Sequence, residues 1–326
     1  MNFNILTLGC KVNQYESQAM REDMLNHGYT LSDDKDKADI TIINSCTVTS
    51  VSDAKNRKLI NKIRRANPDG IIILTGCMPQ AFPKETSNFK NCDIVLGNAK
   101  RAELIPTLEN YLKNKHILVQ ISEHNGKNEV YENLHITSFG EHTRAFIKIE
   151  DGCNRFCSYC IIPYARGRVR SKSLTDLKTE VQRVADGGYK EVVLVGINLS
   201  AYGLDEDYNL ADAVECACSV DGIERVRLGS IEPERMDEDM VKRLAAQPKF
   251  CPQFHLSLQS GCDKTLKAMN RHYDTNEYAE IVARLRKTFD NSSITTDVMV
   301  GFAGEDDCDF EQSMQFVKSI GFAKVH

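Results

Sequence analysis

Three cysteines, Cys153, Cys157 and Cys160, follow directly on a short run of alternating apolar residues and have Cys-x3-Cys-x2-Cys spacing. The run, RAFIKIEDG at 144–152, has the pattern of a β-strand. The thiols therefore belong to a loop that leaves a strand end, which is where α/β proteins place their chemistry. This feature predicts an α/β fold with a metal or redox site at one edge of the sheet.

The number of thiols leaves several chemistries open. Three thiolates are one ligand short of a closed tetrahedral zinc site, and one short of a fully protein-ligated cubane iron–sulfur cluster. A cubane on three thiolates keeps one iron open to a small molecule. The alternatives are a zinc site completed by a distant His or Cys, a redox pair of Cys157 and Cys160, and buried thiols without a ligand role.

With Tyr159 directly before the last cysteine, the spacing resembles the cluster motif of radical S-adenosylmethionine (SAM) enzymes. The resemblance implies that Cys153, Cys157 and Cys160 hold a [4Fe–4S] cluster and form the catalytic centre. It also implies that the open iron chelates the amino and carboxylate groups of SAM.

The bulk properties fit a protein of this kind. The 326 residues suffice for about two domains, and 41% hydrophobic and 27% charged residues are ordinary for a soluble globular protein. No long apolar run predicts a membrane span and no secretory signal is found, so we expect a cytoplasmic protein. Twelve cysteines then favour metal binding or catalysis over disulfides. The formal charge of −5 does not indicate a general nucleic-acid binder.

The first part of the chain alternates apolar strands with helices, which predicts a doubly wound parallel sheet. Cys10, Cys46 and Cys77 each come immediately after a predicted strand, and right-handed crossovers bring such strand ends to one edge. Core packing does not require cysteine at these positions, so we interpret the three as a shared ligand set. Cys92 opens a strand, at the opposite edge, and is interpreted as a core residue. A flavodoxin-like nucleotide-binding domain is the alternative, but the phosphate-binding glycine motifs are missing.

The segments TLGCKVNQYES, NSCTV and LTGCMPQ resemble the three N-terminal cysteine motifs of the methylthiotransferases, which are radical SAM enzymes with two iron–sulfur clusters. The resemblance implies a second [4Fe–4S] cluster on Cys10, Cys46 and Cys77, with Asn13 and Asn44 close to it or to the substrate. LGCKVNQYES is most similar to the branch that acts on N6-threonylcarbamoyladenosine (t6A) in tRNA.

The predicted domains are a cluster-binding domain at 1–115, a polar linker at 116–142 and a barrel domain at 143–326. The strand–helix series after the linker suits a partial (βα)6 barrel of the TIM type. LGSIEP, HLSLQSG and DVMVGFAGE also resemble the methylthiotransferase pattern. We expect Tyr159 and the polar strand-end residues to face SAM or substrate; these are Asn198, Glu232, Ser257, Gln259 and Asp297.

A basic stretch, ARGRVRSK, follows the cysteine loop. Its Arg166, Arg168 and Arg170 suggest a clamp for RNA phosphates or for a carboxylate near the reaction site, although a solvated charged loop is the plainer alternative. Family members continue into a small C-terminal β-barrel domain that binds RNA, and this sequence stops at His326 without it. We therefore expect a truncated form of the family architecture.

Taken together, the resemblance implies a tRNA methylthiotransferase that converts t6A at position 37, next to the anticodon, to its 2-methylthio derivative. The implied partners are the tRNA anticodon stem-loop, SAM and an electron donor such as flavodoxin or ferredoxin. We expect a monomer. The alternatives are a methylthiotransferase that acts on isopentenyladenosine or on a ribosomal protein aspartate, and a zinc protein that binds RNA without catalysis.

Overall fold

The computed structural model describes residues 1–34, 37–87, 89–124, 129–140 and 142–326. The chain divides into two compact units. Unit 1 comprises Met1–Glu141 and Ile161–Arg168, and unit 2 comprises His142–Cys160 and Val169–His326. The eight residues that follow the last cysteine of the loop therefore fold with unit 1, which the sequence did not predict.

Unit 1 is built on six parallel strands in the order β2-β1-β3-β4-β5-β6. Its elements in chain order are β1 Asn2–Thr7, α1 Lys11–Asn26, β2 Thr30–Leu31, β3 Ile40–Ser45, α2 Ser50–Ala66, β4 Ile71–Gly76, α3 Cys77–Ala81, α4 Pro83–Thr86, β5 Ile94–Leu96, α5 Leu104–Asn114, β6 Leu118–Gln120 and α6 Ile162–Arg166.

Both faces of this sheet are buried, as the continuous apolar strands predict. In β4, Ile71 and Ile73 pack with residues of α1 and α5 on one face. Ile72 and Leu74 pack with Ile60 of α2 on the other. Because side chains alternate with period two, each strand contributes to an apolar layer on both faces of the sheet, and this pattern fixes the register of the strands.

Part of the predicted linker is built into unit 1. β6 pairs with β5 as an edge strand of the sheet. Further on, the Glu22 carboxylate on α1 accepts hydrogen bonds from the backbone N–H groups of Thr137 (2.8 Å) and Ser138 (3.0 Å). The segment predicted as a linker therefore contains an edge strand, and hydrogen bonds to α1 connect it to the first unit. The remainder of the predicted linker, at 125–128 and 141, lies outside the described residues.

Unit 2 repeats strand and helix, with its main strands parallel in the orders β11-β10-β7 and β12-β13-β14-β15. Its elements are β7 Ala145–Lys148, β8 Glu150–Asp151, β9 Arg170–Ser171, α7 Leu174–Asp186, β10 Glu191–Val195, α8 Leu210–Cys218, β11 Arg225–Leu228, β12 Ser230–Ile231, α9 Glu238–Ala245, β13 Gln253–Leu256, α10 Asp263–Ala268, α11 Thr275–Thr288, β14 Ser293–Thr296, α12 Asp307–Ile320 and β15 Lys324–Val325.

β11 and β12 are separated by one residue, so they continue one strand direction and the unit presents six successive parallel strand positions. β8 and β9 form a separate antiparallel pair. Several helices begin with a side-chain cap; Ser173 caps α7 and Asp274 caps α11. No helix among the described residues has the length and apolar character needed to cross a membrane.

Candidate functional site

The first cysteine set lies at the C-terminal edge of the sheet in unit 1. Cys10 precedes the first turn of α1, Cys46 directly follows β3, and Cys77 opens α3 directly after β4. β1, β3 and β4 are adjacent strands, so three segments that are far apart in sequence deliver one thiol each to the same edge. Cys46 and Cys77 are buried, whereas Cys10 is exposed.

Two glycines allow these segments to approach closely. Gly9 and Gly76 have φ angles of +120° and +96°, in the region that disfavours residues with a Cβ. A Cβ on Gly9 would lie 2.8 Å from the Cβ of Cys46, and one on Gly76 would lie 2.6 Å from the backbone N of Ser45. The Gly-Cys pairs at these two strand ends are therefore a packing requirement of the site.

Asparagines cross-link the same edge. The Asn13 amide donates to Asn44 Oδ1 (3.2 Å) and to the backbone oxygen of Ser45 (2.9 Å). The Asn44 amide donates in turn to the backbone oxygen of Asn13 (2.9 Å). The Cys10 thiol donates to Asn13 Oδ1 at 3.4 Å. Both asparagines are buried, at 1% and 0% exposure. Their hydrogen bonds connect the start of α1, next to Cys10, to the end of β3, next to Cys46.

A buried arginine contacts the third thiol. Arg166 on α6 donates from Nε to Cys77 Sγ (3.2 Å), and its other nitrogens pair with Glu16 on α1. Glu16 also pairs with Arg101 (3.0 Å), which pairs with Glu132 (2.7 Å). Two arginines and two carboxylates thus form an alternating chain that ends at the sulfur of Cys77.

This arrangement changes the interpretation of the basic stretch at 165–172. Arg166 has no exposed surface and is paired with Glu16, so its guanidinium is not available to an RNA phosphate. Arg170 is 9% exposed and lies 3.7 Å from the Asp151 carboxylate. Arg168 is exposed. Carboxylates within each unit neutralise two of the three arginines that the sequence proposed as a clamp.

The donor set of unit 1 suits an iron–sulfur cluster. Burial raises the pKa of the Cys46 thiol, the neighbouring Cys77 raises it further, and the Arg166 guanidinium opposes both effects. Among the described residues, no group of three His, Cys, Asp or Glu side chains could hold a single metal ion. Thiols are the ligands that a cubane cluster takes, one on each ligated iron, so the chemistry of these three side chains is that of an iron–sulfur site.

The second cysteine set lies on one loop of unit 2, after β7 and β8. Gly152, with φ +95°, directly precedes Cys153, as glycine precedes Cys10 and Cys77 in unit 1. The loop is fastened to the segment after α10: Ser158 donates from its backbone N–H to Met269 (3.1 Å), and the Asn270 amide donates to the backbone oxygen of Phe156 (3.1 Å). The backbone N–H of Cys160 donates to Cys157 (2.9 Å).

An arginine and a glutamate support this loop too. Arg271 Nη1 donates to Cys157 Sγ at 3.4 Å, and Nη2 pairs with the Glu232 carboxylate. Burial raises the pKa of Glu232, although the Arg271 charge opposes the shift. Arg271 also donates to the phenolic oxygen of Tyr273 (3.1 Å), which donates to the backbone oxygen of Ser257 (2.6 Å). The strand-end residues Glu232 and Ser257 are thereby connected to the cysteine loop.

Two buried oxygens beside Cys153 have no hydrogen-bond donor among the described residues, namely Glu150 Oε1 and Asn198 Oδ1. Glu150 is fully buried, and burial raises its pKa well above the ordinary value. Its other oxygen accepts from the backbone N–H of Asn198 (2.7 Å), whose amide donates to Cys153 Sγ (3.7 Å). Unpaired buried acceptors beside a thiol fit a ligand that brings an amino group, as SAM does.

A cavity of about 170 Å³ opens at the same place. Its lining includes Asn154, Arg155, Asn198, Ser200 and His272. Arg155 is held by Glu234 at 2.6 Å. The cysteine loop, the unpaired oxygens and this cavity together fit an iron–sulfur cluster with SAM on its open iron.

The remaining predicted residues of unit 2 lie at strand ends. Tyr159 is 39% exposed with its ring against Phe302, and burial raises its pKa to about 12. Gln259, with φ +70°, donates its backbone N–H to the oxygen of Asp297 (2.9 Å). Asp297 accepts from His255 Nε2 at 3.2 Å. The structure brings Glu232 and Asn198 to the cysteines. The hydrogen bonds described for Gln259 and Asp297 instead connect one strand end to another.

Sequence reasoning missed the charged residues that back the thiols: Glu16 and Arg101 in unit 1, and Glu150 and Arg271 in unit 2. Each is an ordinary charged residue in an ordinary polar context, so composition offers no signal for it. Helical spacing offers a partial signal for Glu16, because it stands six residues after Cys10 on the buried side of α1 with Val12, Ala19 and Met20.

With the fold and sites in place, comparisons define the class of protein. The radical SAM superfamily matches residues 147–317, which is more than half of the chain and includes the cysteine loop of unit 2. Residues 2–97 match a family described as uncharacterized protein family UPF0004, and that range contains Cys10, Cys46 and Cys77.

Relatives that match nearly the whole chain identify the family within the radical SAM superfamily. The chain is 39% identical over 320 residues to the threonylcarbamoyladenosine tRNA methylthiotransferase MtaB of Aquifex aeolicus, covering 98% of this chain and 78% of that protein. It is 41% identical to MtaB of Thermotoga maritima, covering 99% and 73%. A tRNA-2-methylthio-N(6)-dimethylallyladenosine synthase of Clostridium botulinum is 34% identical, with 98% and 72% covered. The chain belongs to the radical SAM methylthiotransferase family.

Solved structures support the fold. The radical SAM methyltransferase TsrM of Kitasatospora setae superposes with a TM-score of 0.71 at 13% identity, covering 99% of this chain and 72% of that one. The cobalamin-dependent SAM radical enzyme OxsB gives a TM-score of 0.61 at 10% identity, covering 97% and 51%. The predicted fold class, a doubly wound sheet followed by a partial radical SAM barrel, is confirmed.

Proposed function

We propose that this chain is a tRNA methylthiotransferase that converts t6A to its 2-methylthio derivative. The observation that carries the proposal is the 37–41% identity to proteins of that name over nearly the whole chain. The two separate cysteine sets support it, because the overall reaction needs both radical chemistry and a sulfur source.

In unit 2, Cys153, Cys157 and Cys160 would hold a [4Fe–4S] cluster, which supplies the electron that cleaves SAM. Asn198 and Glu150 would accept from the amino group of SAM, because their buried oxygens have no donor among the described residues. Arg271 and Glu232 would keep the Cys157 sulfur in place. Tyr159, Ser257, Gln259 and Asp297 remain candidate SAM or substrate contacts at the strand ends.

In unit 1, Cys10, Cys46 and Cys77 would hold a second [4Fe–4S] cluster, which supplies sulfur for insertion. Asn13 and Asn44 would position the cysteine segments, since both side chains are buried and form hydrogen bonds to those segments. Arg166 would place a positive charge beside the Cys77 sulfur, and a cluster of anionic thiolates benefits from such a charge. Arg168 is exposed, and it stays a candidate contact for an RNA phosphate together with Arg170.

The experiment uses anaerobically reconstituted full chain, SAM and a chemical reductant, with two synthetic anticodon stem-loops. One carries t6A and the other carries isopentenyladenosine at the same position. We expect the 2-methylthio product with t6A only, detected by mass spectrometry of the digested nucleosides. Product with isopentenyladenosine only would transfer the protein to the alternative branch, and no product with either RNA would refute both.

Iron and sulfide analysis with Mössbauer spectroscopy tests the second cluster separately. About eight irons per chain are expected if each cysteine set holds a cubane. About four irons would remove the sulfur-supplying cluster from the proposal, and zinc in place of iron would favour the non-catalytic alternative. We further propose that the protein is a cytoplasmic monomer reduced by a flavodoxin or a ferredoxin.

A further inference from the structure

Helix α2 of unit 1 carries a stripe of exposed cations. Lys55, Lys58, Lys62 and Arg65 are all exposed and follow one another at intervals of three, four and three residues. That spacing places the four side chains on one face of the helix, over about 15 Å of its length. The opposite face, with Asn56, Ile60 and Ile63, is buried against the sheet. We call the four cations the α2 stripe.

The α2 stripe differs from the other cation groups of the molecule. In unit 2 several surface cations are held by carboxylates: Arg243 by Asp212 and Glu215, Arg225 and Arg227 by Glu191, and Lys264 by Asp306 and Asp309. No salt bridge is formed by Lys55, Lys58 or Arg65 among the described residues. In a chain with a net charge of −5, Lys55, Lys58 and Arg65 are a local concentration of positive charge without a carboxylate partner among the described residues.

A groove lies alongside the stripe. It has a volume of about 230 Å³ and is lined by Arg57, Ile60, Asn61, Phe89, Lys90 and Asn91. The Arg57 guanidinium stacks over the Phe89 ring, 5.6 Å from its centroid. An aromatic face and a planar guanidinium at the bottom of a basic groove are surfaces on which an unpaired base can stack.

The N-terminal end of the α2 stripe lies near the cysteine edge of unit 1. α2 begins four residues after Cys46, so the Lys55 end of the stripe lies toward the cysteine edge and the Arg65 end points away from it. Exposed Val48 and Val51 occupy the surface between Cys46 and the stripe. A strand of RNA that lies along α2 would therefore lead toward the cysteines of unit 1.

We propose that the α2 stripe binds the phosphate backbone of the substrate tRNA, with the Arg57–Phe89 groove receiving an unpaired base. The inference rests on the proposed function, and it adds a binding surface within unit 1. RNA fits better than an acidic protein because the cations form a line with regular spacing and an aromatic groove flanks them.

The test measures binding of a fluorescent t6A anticodon stem-loop to the full chain as a function of salt. The variant is Lys55→Glu with Lys58→Glu. Its matched control is Lys178→Glu with Arg183→Glu, which makes the same charge change on the exposed face of α7 in unit 2. We expect the stripe variant to weaken binding about tenfold or more and to reduce the slope of log K against log salt by about 1.4, from two lost single-strand contacts. The control should change neither quantity comparably.

Activity separates this inference from the proposed function. We expect the stripe variant to raise KM for the stem-loop, to approach the wild-type kcat at saturating RNA, and to release 5′-deoxyadenosine normally without RNA. Equal binding losses in variant and control would overturn the stripe as a specific surface while leaving t6A modification intact. Unchanged RNA binding with slower reduction by flavodoxin would overturn it in favour of an electron-donor surface. A wild-type protein that modifies no t6A RNA would refute the proposed function itself.

Discussion

The two cysteine sets use the same supporting chemistry on different scaffolds. In each unit an arginine donates to one cysteine sulfur and is itself held by a glutamate: Arg166 joins Cys77 to Glu16, and Arg271 joins Cys157 to Glu232. In each unit an asparagine contacts another of the thiols, Asn13 at Cys10 and Asn198 at Cys153.

The scaffolds differ in how the thiols are assembled and how deeply their supports are buried. Unit 2 takes its cysteines from one eight-residue loop at 153–160, whereas unit 1 gathers them from three adjacent strands. The Arg166–Glu16 pair has no exposed surface, while Arg271 and Glu232 are 5% and 19% exposed. A loop can close on its own sulfurs, but three strand ends must be held together by the surrounding unit.

The largest expected effect concerns the loop. We expect Cys157→Ala to abolish 5′-deoxyadenosine formation, because the cluster that cleaves SAM loses a ligand. The measurement is 5′-deoxyadenosine by liquid chromatography with reductant and SAM, together with iron content. If about four irons per chain remain in the Cys157→Ala variant, the cysteines of unit 1 bind their cluster independently of the loop in unit 2. Persistent 5′-deoxyadenosine would show that the loop is not the SAM-cleaving site.

The second prediction concerns the three-strand site. We expect Cys46→Ala to retain 5′-deoxyadenosine formation and to lose sulfur insertion into t6A RNA. Cys92→Ala is the matched control, because Cys92 is equally buried in unit 1 but packs in the apolar core away from the cysteine edge. Normal sulfur insertion by the Cys46 variant would refute the assignment of the second cluster.

The third prediction compares the two ion pairs. We expect Arg166→Gln to lower the free energy of unfolding of the apo-protein by up to about 3 kcal/mol, because Glu16 loses one of its two charge partners in a fully buried site and keeps Arg101. Arg271→Gln should cost less, since Glu232 retains some contact with water. Urea denaturation monitored by circular dichroism measures both.

A double variant provides the control for that comparison. Adding Glu16→Gln to Arg166→Gln removes a buried carboxylate whose remaining partner is Arg101, so part of the lost stability should return if the pair with Arg101 does not offset the desolvation of Glu16. If the double variant is less stable than Arg166→Gln alone, then Arg101 depends on Glu16 more than Arg166 does, and the chain of charges rather than the single pair supports the site.

The smallest expected effect concerns the glycines. We expect Gly76→Ala to cost about 2–3 kcal/mol, from the positive φ and from overlap with Ser45. Gly28→Ala, at φ +82° with open space around its Cβ, should cost only about 1 kcal/mol. Thermal unfolding of the two variants measures the loss of stability in each. Equal losses would show that the close contact between Gly76 and Ser45 does not contribute to the cost of the substitution.

The loop site and the strand alternation were accessible from sequence because they depend on neighbours along the chain. Cys153, Cys157 and Cys160 are separated by a few residues, and the apolar runs of β1, β3 and β4 bury both faces of a parallel sheet whatever follows them. Placing Cys10, Cys46 and Cys77 together needed one further rule, that parallel strands end at a common edge.

The role of the basic stretch could not be obtained in the same way. Arg166, Arg168 and Arg170 look alike in sequence, but Arg166 is enclosed in unit 1 with Glu16, and Arg170 lies in unit 2 near Asp151. Burial and charge pairing are properties of residues that are distant in sequence, so the local pattern of arginines does not contain them.

The sequence by itself determined the alternation of strands and helices and the positions of the two cysteine sets, because these follow from hydrophobic period and spacing. The motifs around the cysteines indicated the family by resemblance. Only the tertiary structure decided which charged side chains contact the cysteine sulfurs. The arginine of α6 reaches Cys77 because 161–168 folds with unit 1, and the Glu150 and Asn198 oxygens are left unpaired because folding buries them beside Cys153. Both outcomes depend on desolvation and on long-range contacts, which a one-dimensional pattern does not specify.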